Sequence, residues 1–289
     1  MRAFARFLGA ILIAGLIGAA LAYPAYELTS RFASWPFHRV ASRIAMLALV
    51  VTLAWTCRRM RLQATRDFGY GLPWARFLKL CLLWGAVGVA TAGVGAVFLL
   101  STHLRVAVPY VASVYFTALG SGIAVALIEE TVFRGVMHTA IERESGPWTA
   151  ALLTAPLFAV LHFVAKVRIA PQDVGWGSGF DLLLLSFAPL GHPTLVLDVF
   201  LSWLTVGLIL SLTRVLTGNI AVAIGLRAGW VVVLRMLQLC TVGGSSPAYS
   251  HWVSHFDGLL GLWLLPWGLG CAAALWLTRA LWVPPARAG

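Results

Sequence analysis

Two adjacent carboxylates and a cation, Glu129-Glu130-Thr131-Val132-Phe133-Arg134-Gly135, close an apolar run that begins at Ile123. A charge near the middle of a bilayer costs at least about 2.5–3.5 kcal/mol on insertion scales, so an acid in such a setting marks a site with a partner. Residues four apart share a helix face, which makes Glu130 and Arg134 the natural ion pair. Glu129 points about 100° away around the helix axis. One carboxylate is then structural and paired, while its neighbour is available for chemistry. A shielded carboxylate can serve as general base toward a water. The competing explanation is that both acids only balance Arg134 and a polar helix contact.

His162 is the second candidate, in the apolar stretch Phe158-Ala159-Val160-Leu161-His162. Ser145-Gly146 is a helix stop between it and the carboxylates. In an antiparallel hairpin, residues equidistant from the turn lie at one level. Glu129 precedes the break by about 16 residues and His162 follows it by about 16, so each stands about 24 Å up its helix. An acid and an imidazole at one depth in lipid make a candidate active site. The same arithmetic sets Phe133 against Phe158, as rings walling a cavity.

The pattern EExxxR followed by FxxxH, here Glu129-Glu130-xxx-Arg134 and Phe158-xxx-His162, resembles that of the CPBP family (CAAX protease and bacteriocin-processing). These are membrane proteases similar to the Rce1-type CAAX prenyl endopeptidases. The likeness covers about residues 109–235. It implies that a Glu of the first motif activates a water with help from the His of the second. The family's third motif is His-xxx-Asn or a variant. The matching stretch here is Ile224 to Val231, with Arg227 at the His position and Val231 at the Asn position. Arginine has five donors and no acceptor. Arg227 is therefore excluded as general base or metal ligand, and is a candidate donor to a tetrahedral oxyanion. Trp230, in the same stretch, joins Phe133 and Phe158 as a candidate cavity residue. Arg227 weakens a metal reading without excluding it: a catalytic zinc usually takes three protein ligands, and a Glu and one His fall short. No cofactor is expected.

These residues need a membrane scaffold to position them. The chain is 60% hydrophobic and 11% charged, with mean hydropathy +0.88, against about 25% charged residues in soluble domains. It is expected to be an all-α polytopic protein of about eight transmembrane helices in a CPBP/Rce1-like bundle. The spans fall near 7–25, 41–57, 80–101, 109–130, 147–165, 194–213, 219–240 and 258–278. The organisation expected is three N-terminal spans (1–108), a catalytic core (109–240) and an outer loop with the last span (241–289). The net charge of +11 does not indicate nucleic acid, because the basic residues are spread along the chain beside hydrophobic segments. With both termini cytoplasmic, inner segments hold twice as many Lys and Arg as outer ones, as orientation in a membrane requires. The GC-rich style of composition suggests a bacterial inner membrane. The N-terminal apolar stretch is expected to stay as a first helix rather than be cleaved as a signal peptide.

Other polar groups carry less. Asp198 and Arg235 fall at one level and suggest a structural ion pair. His251 and His255 share HxxxH spacing in an outer loop, from which either could replace the absent third-motif His. The connection 166–193, with its Gly and Pro, suits an interfacial or re-entrant piece. Cys57, Cys81, Cys240 and Cys271 lie in or beside apolar segments without metal spacing, as reduced apolar side chains do. No phosphate loop or GxSxG elbow occurs. The function expected is an intramembrane endopeptidase acting on a membrane-anchored protein or peptide. The alternatives are a catalytically impaired family member serving as scaffold or immunity factor, and a transporter, for which the repeat symmetry is missing.

Overall fold

The structure is a computed structural model that describes residues 1–62, 64–163 and 167–282. The elements run α1 (Arg2–Ser30), α2 (Phe37–Arg59), α3 (Trp74–Ser101), β1 (Arg105–Ala107), α4 (Ser113–Ser145), α5 (Pro147–Leu161), α6 (Ser178–Ser186), α7 (Pro193–Thr217), α8 (Ala221–Cys240), β2 (Thr241–Gly243) and α9 (Leu264–Leu277). Among the described residues, α1, α2, α3, α4, α7 and α8 are long and apolar enough to cross a membrane, and α5 and α9 are shorter apolar helices. The chain is an all-α polytopic membrane protein.

Its helix boundaries follow from proline and glycine. Pro147 and Pro193 open α5 and α7, where a missing N–H costs nothing. Gly146, with φ +86°, ends α4, and Gly218, with φ +67°, separates α7 from α8; only glycine enters that region freely.

Met1–Leu62 and Val160–Thr194 form one compact unit, and the other described residues form a second. The first packs α1 against α2 and α6. Its core holds Ala22, Phe37 and Ala41, with Tyr26 and Leu182 against them. α6, with nine residues, is too short to span a bilayer at 1.5 Å per residue.

In the second unit α8 packs on α3 and α4. Glycines set that approach. A Cβ at Gly225 would stand 2.5 Å from the Cys81 carbonyl oxygen, and one at Gly229 would stand 2.4 Å from that of Gly85. Gly225-xxx-Gly229 is a small-xxx-small stripe of the kind that lets membrane helices touch backbone to backbone. β1 and β2 pair antiparallel, Arg105 opposite Gly243.

Two expectations differ. The last span starts later than 258, because residues 253–263 fold as a loop. Gly258 and Gly261 take positive φ there, and the Asp257 carboxylate accepts the Leu259 and Leu260 N–H groups at 2.9 Å. Asp198 and Arg235 do not pair. Asp198 accepts from the Ser254 hydroxyl at 3.1 Å, and Arg235 donates to Gln238 Oε1 at 3.0 Å. Burial is a further factor at Asp257, since it raises that carboxyl above its usual range.

Candidate active site

α4 is not a uniform helix. It is α-helical to Glu130, widens into a π-helix over Thr131–Met137, and resumes as α-helix from His138. Such segments occur mostly as single-turn insertions at functional sites. Here the widened turn begins directly after the carboxylate pair and contains Arg134. Gly135 lies on its tight side, where a Cβ would come within 2.6 Å of the Phe68 carbonyl oxygen. Arg214 of α7 donates from Nε to the Arg134 carbonyl at 3.0 Å and from Nη2 to the Thr139 hydroxyl at 3.0 Å. A side chain of a neighbouring helix thus satisfies a backbone group inside the irregular turn.

The Glu130–Arg134 pair forms as the spacing predicts. Arg134 Nη1 donates to Glu130 Oε1 at 3.2 Å, and both side chains are fully buried. Arg134 Nη2 donates to the Gly207 carbonyl of α7 at 2.8 Å. The guanidinium also lies 4.5 Å from the Phe158 ring centroid. A charge this deep is tolerable because it meets an opposite charge, a carbonyl and an aromatic face together.

Glu129 has a cation of its own, which the i,i+4 rule does not give it. Arg227 of α8 donates from Nη2 to Glu129 Oε2 in a short contact. The Glu129 side chain is 27% exposed and that of Arg227 2%. The carboxylate that spacing along α4 left available is therefore bound across helices. Arg227 also faces aromatic rings, at 4.6 Å from Phe158 and 5.5 Å from Trp203. One Phe158 ring thus carries a guanidinium from each of the two acid–base pairs. The ring of Phe133 meets it edge-on at 5.3 Å. This contact agrees with the hairpin register counted from Gly146.

Arg227 also lines a small apolar cavity of about 40 Å³, together with Trp203, Val206, Trp230, Trp263 and Trp267. Trp230 lines this cavity. Phe133 and Phe158 do not line it; they form the packed wall behind Arg227. The Trp230 indole N–H donates to the Thr91 hydroxyl at 3.0 Å, fixing its ring.

α5 stops at Leu161, and His162 lies half-buried in the turn that follows, within the smaller unit. Among the described residues no group of three or more His, Cys, Asp or Glu side chains gathers to hold a metal ion.

Three contributors escape the sequence. Trp203 and the Gly207 carbonyl belong to an α7 whose apolar run marks no position as special. The π-helix has no local signature. The Gly225-xxx-Gly229 stripe was visible in the sequence, and it is what brings α8, with Arg227, up to its neighbours.

A membrane bundle with two acid–guanidinium pairs at an irregular helix turn, one fully buried and one partly exposed, defines the class: a polytopic protein with an intramembrane polar site. Residues 111–233 match the family model for Rce1-like, type II CAAX prenyl endopeptidase Rce1-like. That segment carries every candidate site residue, and over it the chain is similar to the Rce1-like family of CAAX-type proteases. No curated protein and no solved structure matches the chain.

Proposed function

We propose that this protein is an intramembrane endopeptidase that hydrolyses a peptide bond of a membrane-associated protein with a glutamate-activated water. The observation that carries this is the Glu129–Arg227 contact at the edge of an apolar cavity, inside the Rce1-like segment. A base and an oxyanion donor stand next to each other there, and neither is fully exposed to water.

Each residue has a role in the reaction. Glu129 takes a proton from water, and the resulting hydroxide attacks the carbonyl carbon of the scissile bond. The carbonyl oxygen becomes an oxyanion, and Arg227 turns a fixed donor toward it. The C–N bond then breaks as the leaving nitrogen receives the proton Glu129 took up. The products are a carboxylic acid and an amine. His162, on the strength of its motif, orients the water or passes the proton. Glu130 and Arg134 hold the helix turn on which Glu129 sits. Arg227 occupies a Glu129 carboxylate oxygen while bound to it, so substrate entry has to draw the guanidinium toward the developing oxyanion.

One observation favours a second reading. Glu129 is occupied by the very residue that replaces the third-motif histidine, as in a family member that has lost catalysis and serves as a scaffold or immunity factor. A single comparison decides between the two. Membrane proteomes from cells with wild-type, Glu129→Gln and Arg227→Gln protein are searched for fragments that need the wild type. Under the protease reading Glu129→Gln abolishes the fragments while the protein remains folded. Arg227→Gln should lower turnover about 10²–10³-fold, the usual cost of one oxyanion donor. Fragments that persist with Glu129→Gln refute the assignment. Identical proteomes for all three support the non-catalytic reading.

A further inference from the structure

The smaller unit holds a cavity of about 580 Å³ between α1, α2 and α6. It is separate from the acid–arginine site, and the proteolytic reading gives it no task. Its size falls within the range of small-molecule sites, about 300–1,000 Å³. Gly15, Gly18 and Ala19 of α1 and Leu182 and Leu183 of α6 give it an apolar floor. Gly18 is pressed on Ala45, where a Cβ would stand at 2.8 Å, and Gly179 is pressed on the Ala19 carbonyl, at 2.0 Å. The helices meet closely at those two points and leave a slot beside them.

At the other end the lining changes character. His38, Arg39, Ser42 and Arg43 of α2 line the cavity. Arg39 and Arg43 are one turn apart on one helix face. Among the described residues neither forms a salt bridge, and the contact of the Arg43 guanidinium is a weak one with Met46 Sδ at 3.8 Å. Among the described residues no carboxylate lines the cavity. Two arginines one turn apart on the lining of one cavity supply the guanidinium donors that a phosphate group accepts.

Depth completes the argument. α2 begins at Phe37, whose ring meets Tyr26 of α1 at 5.5 Å, and Ala45 meets Gly18. α1 and α2 are thus antiparallel with Arg39 near an end. From the level of Arg39 to that of Gly15 is about nine residues of α1, or about 14 Å at 1.5 Å per residue. A cationic mouth within the first turns of a spanning helix, above an apolar slot of that length, matches an amphiphile lying along the bilayer normal.

We infer that this cavity is a binding site for an anionic glycerophospholipid, with its phosphate on Arg39 and Arg43 and one acyl chain along Gly15 and Leu183. The test uses the full chain in a neutral detergent. Binding is measured for short-chain phosphatidylglycerol, short-chain phosphatidylcholine, glycerol phosphate and inorganic phosphate. Phosphatidylglycerol should bind at least about tenfold tighter than each of the others. Arg39→Gln/Arg43→Gln should reduce it to the phosphatidylcholine level, and Arg58→Gln/Arg59→Gln, at the far end of α2, should leave it unchanged. Gly15→Leu provides an uncharged check, since a Cβ there makes an ordinary 3.5 Å contact with Leu183. It should weaken both lipids at least about tenfold. Equal affinity for the two lipids, phosphate binding as tight as phosphatidylglycerol, an equal loss in the Arg58/Arg59 variant, or no loss in Gly15→Leu overturns the inference.

Discussion

At the residue scale the site is two acid–arginine pairs sharing one aromatic ring, and only one pair follows from spacing. Glu130 and Arg134 lie four apart on one helix, so the periodicity of the sequence specifies them. Glu129 and Arg227 lie far apart in the chain, and nothing local joins them. The family pattern pointed to position 227 as the one that departs, but the electrostatic consequence needed the fold. The buried pair allows a sharp prediction. Arg134→Met strips the partner from a fully buried Glu130, and an uncompensated buried charge costs about 3–5 kcal/mol. The expected result is a large drop in the thermal unfolding midpoint in detergent. Adding Glu130→Gln removes the orphaned charge and should restore much of that loss. If the double variant is as unstable as Arg134→Met alone, the pair is not what burial makes costly, and packing on Phe158 is the stronger term.

At the element scale, helices were legible and irregularities were not. Apolar runs closed by Gly146, by Gly218 and by proline give α4, α5, α7 and α8 their limits, because these residues act on the backbone directly. The late start of α9 was hidden, since Leu259, Leu260 and Leu262 look like helix although the Asp257 turn and Gly261 bend the chain there. The π turn of α4 was hidden too, because its cause is tertiary: Gly135 fits against Phe68, and Arg214 reaches the Arg134 carbonyl. The glycine stripe of α8 gives this scale its test. Gly229→Ala places a Cβ in clash with the Gly85 oxygen and the Val89 nitrogen, and overpacking of this kind costs about 1–3 kcal/mol. Arg227 rides on the same helix, so both the unfolding midpoint and substrate cleavage should fall. Gly93→Ala on α3 meets nothing within 4 Å and should hold or gain stability, since alanine favours a helix over glycine by about 1 kcal/mol. Equal behaviour of the two variants would show that backbone contact is not what seats α8.

At the scale of the whole molecule the question is which loops share a side, and contacts within the larger unit answer it independently of charge. Arg105, after α3, faces Gly243, after α8. Asp67, before α3, pairs with Arg143 at the end of α4, and the Gly69 carbonyl accepts from Ile220 N, between α7 and α8, at 3.2 Å. The connections before α3, after α4 and between α7 and α8 therefore form one side, and those after α3 and after α8 form the other. This is the alternation that eight crossings demand, with α5 and α9 counted among them. The positive-inside rule then predicts a direction, with the side that holds Arg66, Arg76, Arg143 and Arg214 expected to face the cytoplasm. A single cysteine placed at Ser246, in a variant with Cys57, Cys81, Cys240 and Cys271 replaced by serine or alanine, should react with a membrane-impermeant maleimide in intact cells. One at Ser145 should react only after the membrane is opened. Labelling in the reverse order would invert the molecule. Equal labelling of both in intact cells would break the alternation, and the candidate site would lose the lipid-shielded setting on which its chemistry depends.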